Sequence, residues 1–221
     1  MIVINYHYGN YSRFICGGNY HETKLEDNFH GILQRKIKTA PLSTIKDFFD
    51  DKYSLCLAKD QLERLVLNVF SKTPEWKEGE KDQMEHFVRD FIALMEAVYL
   101  LSELKTDSFG SVKKLSKNNL VSKNLLADNA ALDALWDFLP CTLDHTEALT
   151  PLATIRSIKE LFDMESLKNA LYDWKNEAML SSARMPQKIL NSMFFVHNIF
   201  HCLLEASHLI FVRELDSSEG Y

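Results

Sequence analysis

Apolar positions recur at helical spacing from residue 25 to the last stretch of the chain. Leu25, Phe29, Ile32, Leu33 and Ile37 fall three or four residues apart, and Pro41 is expected to stop that segment. Ser43 is placed to cap a short helix carrying Ile45, Phe48 and Phe49. A further stripe of Leu62, Leu65, Val66, Val69 and Phe70 predicts a helix over 58–71. Thr73-Pro74 has the form of an N-cap followed by a first-turn proline. The spacing then predicts a long helix over 81–104. Its stripe is Met84, Phe87, Val88, Phe91, Met95 and Val98, with Glu85, Arg89, Glu96 and Glu103 on the other side.

The same reading predicts helices over 129–139, from Thr150-Pro151 to Phe162, from an Asp163 cap through Leu167, Leu171 and Trp174, and from Pro186 to Leu215. The N-terminal residues differ. Ile2 to Tyr8 and Tyr11 to Cys16 are β-branched and aromatic runs joined by Gly9-Asn10, which reads as a hairpin. The expected fold class is therefore all-α, a multi-helix bundle with a short N-terminal β-hairpin. The expected organisation is one helical domain over 1–221, or two helical halves, 1–104 and 125–221, joined near 105–124.

Composition supports this picture. Apolar residues make up 46% of the chain and charged residues 25%, while glycine (7) and proline (5) are few. Such a chain can bury a core without cross-links. The net charge of −6 helps solubility and argues against non-specific DNA binding by the whole chain, though not against a local basic face. Cys16, Cys56, Cys141 and Cys202 form no Cys-x-x-Cys pair. With no signal-like start, they are expected to be reduced thiols in a cytoplasmic protein. Lys113, Lys114 and Lys117 belong to a polar stretch that reads as a solvated linker, or alternatively as a patch for phosphate or an acidic partner. Trp76, Trp136 and Trp174 read as core or interface anchors.

The last helix carries the strongest chemical signal. Between Met185 and Val212 only Lys188 and Glu205 are formally charged. Its length could span a bilayer. Asn191, His197, Asn198, His201, Glu205 and His208 would be costly there, so a central buried helix is expected and no membrane. At about 100° per residue, His197, His201 and His208 lie within about 40° of one another, with Glu205 about 40° further round. The first expectation for this stripe is a polar seam against a neighbouring helix. The alternative is a divalent-metal site of His197, His201, Glu205 and His208, with a further ligand such as His86 or Asp90 from a facing helix.

No HExxH, P-loop, G-x-S-x-G or G-x-G-x-x-G is present. Arg184 and His197 are too far apart for the Arg–His pairing of helical ribonucleases, so nucleic-acid chemistry is a remote alternative. The leading functional expectation is an interaction module or subunit without catalysis or cofactor of its own, binding a protein partner or itself. The rival is a helical-bundle enzyme that uses the metal or the histidines.

Overall fold

The computed structural model describes residues 35, 37–71, 76–103, 141–180 and 187–214. Of these, 87% are helical and none lie in strands, as the apolar spacing predicts. The hairpin at 2–16, the helical stripe of Leu25, Phe29, Ile32 and Leu33, the Thr73-Pro74 cap, the joint at 105–124 with Lys113, Lys114 and Lys117, the helix at 129–139, Trp136 and Pro186 lie outside the described residues.

Helix α1 is Pro41–Lys46, and Asp47–Lys52 continues it as one π-helical segment. Pro41 has a second role here. It stands at the first position of α1, behind Ala40, where its missing N–H costs nothing. Ser43, expected as the cap, lies inside that helix. Helix α2 is Leu55–Phe70, and its Ser54 cap accepts from the Leu57 amide. Helix α3 is Glu80–Glu103, entered through Gly79 at φ 79°, a conformation that side-chain-bearing residues rarely adopt.

From Cys141 onward, α4 (His145–Leu149), α5 (Pro151–Leu161) and α6 (Met164–Met179) follow in quick succession. Helix α4 has no apolar stripe to predict it. It is opened by reciprocal bonds in which the Glu147 amide donates to Asp144 and the Asp144 amide donates to Glu147, each at 2.8 Å. Asp163 caps α6 as its sequence suggests, accepting the Ser166 amide at 2.7 Å. Asp163→Ala should lower stability at neutral pH by about 1 kcal/mol. A urea melt checks this, and an unchanged midpoint would show that the cap is idle.

Helix α7, Gln187–Glu214, completes the bundle. Met193–Val212 is long and apolar enough to cross a membrane by length and composition, yet 56% of that window is buried within the fold. Phe200, Leu203, Leu204, Ala206 and Leu209 are all buried. Phe200 meets Trp174 of α6 and Phe91 of α3 edge-on, at ring centroid distances of 5.2 and 5.6 Å.

Helix α3 packs against α1, α2, α5, α6 and α7, so its apolar positions form the centre of the core. Its C-terminal end is held by Arg156 Nε, which donates to the Ser102 carbonyl at 2.8 Å. Trp76 anchors the other end of the core by donating to the Ala178 carbonyl at 2.9 Å.

Candidate functional site

The polar stripe of α7 lies against α2. His197 and His201, one turn apart, bring their Nε2 atoms to 3.1 Å of each other. Both rings meet Glu63 of α2, whose Oε1 lies 3.3 Å from His197 Nε2 and 3.1 Å from His201 Nε2. One turn on, Glu205 of α7 meets Lys59 of α2 at 2.6 Å. Numbering rises along α7 as it falls along α2, so the two helices run antiparallel across one polar seam. Its two rungs are a histidine–carboxylate group and an ion pair.

The rungs differ in what else they bind. Glu205 is fully buried. Its Oε1 accepts the Cys141 amide at 2.9 Å, and its Oε2 accepts the Thr142 and Leu143 amides at 2.9 Å each. Cys141 Sγ adds a weak donor at 3.3 Å. Burial alone would raise the carboxyl pKa. The Lys59 ammonium and the amides outweigh it and hold Glu205 below the usual carboxylate range. The carboxylate is thus fully engaged as an anchor for residues 141–143 and is not one of the atoms of the histidine group.

Glu63 is the carboxylate that converges on the histidines instead. Among the described residues, Glu63, His197 and His201 form a group whose ligating atoms all lie within 4.8 Å of one another. They face an open cavity of about 430 Å³, also lined by Cys56, Lys59, Asp60, Cys141, Thr142 and Asn198. The Glu63 side chain is 49% exposed and that of His201 10%, so the group straddles the boundary between cleft and core. Burial lowers the pKa of both histidines, against the pull of Glu63, and His197 lowers that of His201 further. Burial thus favours the neutral rings, and a neutral imidazole has a nitrogen lone pair to offer.

His208 stands apart from this group. Its ring packs edge-on against Phe49, with centroids 5.1 Å apart, and lies beside Phe211. Burial drives its pKa from 6.5 down to about 4. An unfolded chain would take up the proton near its ordinary pKa, well before the folded one does. Stability should therefore fall as pH drops from about 6.5 to 4 and level off below, by about 2 kcal/mol for this partly exposed ring. His197 and His201 act in the same direction, so the test is a comparison. Urea midpoints of the parent and of His208→Phe, taken from pH 7 to pH 4, should diverge. Parallel slopes would mean that the His208 ring titrates near its ordinary value.

The candidates from α3 are elsewhere. Asp90 accepts from Lys52 at 2.9 Å and from Tyr53 at 3.4 Å, and His86 pairs with Arg89. Cys202 packs against the core, where burial pushes its thiol up to about 12.

Sequence reasoning thus finds His197 and His201 but not Glu63, Lys59 or the amides of 141–143. A weak signal for Glu63 exists: Cys56, Asp60 and Glu63 recur at helical spacing on one side of α2, and all three line the cleft. Comparisons with protein-family models, curated proteins and solved structures give no match to this chain.

Proposed function

We propose that this chain is a helical metal-binding protein that holds one divalent transition ion, zinc foremost, between α2 and α7 through Glu63, His197 and His201. One observation carries the reading: the three donor atoms stand 3.1–3.3 Å apart in a triangle. Metal bonds of about 2.0–2.1 Å at tetrahedral angles place donors about 3.3 Å apart, which is one face of a zinc tetrahedron. Imidazole nitrogen with carboxylate oxygen is a donor set that suits zinc. Without metal, the two imidazole nitrogens share a hydrogen bond, and Glu63 lies within ion-pair distance of both.

Metal-free protein titrated with zinc against a chromophoric chelator should take up one equivalent, and Glu63→Ala should take up none. Zinc uptake that is absent, or unaffected by Glu63→Ala, would overturn the assignment. Among the described residues, Cys56, Cys141 and Cys202 carry free thiols.

A second reading, a subunit that binds a protein partner or its own copy, is favoured by a separate observation. Phe70 of α2 and Phe194 of α7 stack with centroids 5.5 Å apart, and Phe194 and the nearby Leu67 are about two-thirds exposed. Light scattering should then show an assembly that Phe194→Glu disrupts, and a monodisperse monomer with no partner would count against it.

A further inference from the structure

We infer that the ion held by Glu63, His197 and His201 keeps its fourth position open to the cleft, where a small oxygen-donor ligand replaces a water. This rests on the metal reading above. Structural zinc sites are closed by four protein donors, whereas reactive ones use three and leave a position for water or substrate. Among the described residues no fourth donor joins the group. Cys56, Asp60 and Cys141 offer two thiols and a carboxylate in the same cleft, yet none comes within the spacing that unites the three. Among the described residues, the vertex opposite the triangle is left to the cavity, whose 430 Å³ is within the range of small-ligand pockets.

The walls narrow the chemistry of what enters. Two neutral imidazoles and one carboxylate leave a divalent ion with one net positive charge, which favours an anionic oxygen donor. The charge of Lys59 is matched by Glu205, so that wall adds no further pull. Asp60 adds a carboxylate to the lining, and a bare anion would be repelled by it. A ligand that carries its own N–H or O–H beside the donor oxygen would turn that repulsion into a hydrogen bond. Thr142 and Asn198 supply polar lining around the same space. The ligand class is thus a small hydroxy acid or hydroxamic acid, bound through oxygen.

The cleft is also built to hold its shape. Cys141 and Thr142 line it, and their amides are tied to Glu205, one turn from His201 on α7. Two of the three ligand donors, His197 and His201, and this part of the cavity wall are therefore fixed to the same helix.

Cobalt(II) in place of zinc makes the site visible. The cobalt-loaded full chain should show a d–d absorption band that shifts saturably on titration with acetohydroxamic acid, with cobalt still bound after gel filtration. Asn198→Trp, which fills the mouth of the cleft without removing a ligand, should weaken that titration by about tenfold or more and leave cobalt uptake intact. Cobalt bound with a spectrum indifferent to acetohydroxamate would overturn the open position and spare the metal reading. Acetohydroxamate binding unchanged in Asn198→Trp would equally overturn it, because the ligand would not be using the cleft. No cobalt uptake at all would overturn both.

Discussion

Replacing Glu205 by Ala should cost about 3–5 kcal/mol, the loss expected when one partner of a buried ion pair is removed. The substitution leaves the Lys59 ammonium, whose side chain is only 14% exposed, without its carboxylate. It also strips the acceptor from the amides of Cys141, Thr142 and Leu143. Each orphaned buried donor carries a desolvation penalty of about 1–3 kcal/mol unless water reaches it. Glu205→Gln should recover little. Its amide nitrogen would replace one acceptor oxygen and meet N–H groups donor to donor. For a domain of ordinary stability, Glu205→Ala consumes a large part of the margin. Urea unfolding followed by circular dichroism would measure it. A loss under about 1 kcal/mol would show that the anchor is not what holds 141–143 to the bundle.

Removal of the His201 imidazole should separate two effects. As one of three metal donors, it is expected to take zinc affinity down by more than about 100-fold in His201→Ala, beyond the loss typical of a residue that merely supports a ligand. In metal-free protein the same substitution should cost only about 1–3 kcal/mol, because Glu63 is half exposed and water can replace the lost partner. A chelator competition assay and a metal-free urea melt report the two separately. Wild-type zinc affinity in His201→Ala would place any metal elsewhere. A purely structural seam would show the stability loss with no zinc binding in the parent.

The helices were legible because burial and periodicity coincide. Met84, Phe87, Val88, Phe91, Met95 and Val98 recur at helical spacing and are all buried in α3. Asp163 was legible because a side-chain cap is written in one residue. Helix α4 was not, since a five-residue helix completes barely more than one turn and shows no period. Pro41 was half read: the rule that proline ends a helix is visible in sequence, whereas its fitness to begin the next depends on where the chain turns.

In the site, the pairing of His197 with His201 followed from their spacing on a helix too apolar to leave them in water. Glu63 could not be told from the other exposed acids, because its role comes from which helix lies opposite. Glu205 was read as part of the polar stripe, facing a neighbouring helix or alternatively a metal, and the letters could not name the amides it also holds. Its partners are mostly backbone amides, and an N–H group has no letter in the sequence.

Those amides have a further consequence for how the protein can be watched in motion. Residues 141–143 lie outside any helix, where amide protons ordinarily trade with solvent deuterium within moments. Here their acceptor is the carboxylate of a helix more than sixty residues onward, shut away from water. Their protons can exchange only when that helix parts from them, so three adjacent amides become a built-in clock for the separation of α7 from the segment before α4. Deuterium uptake there should be slow, should run in step for all three, and should slow further when the neighbouring rung of the seam is cross-braced by metal.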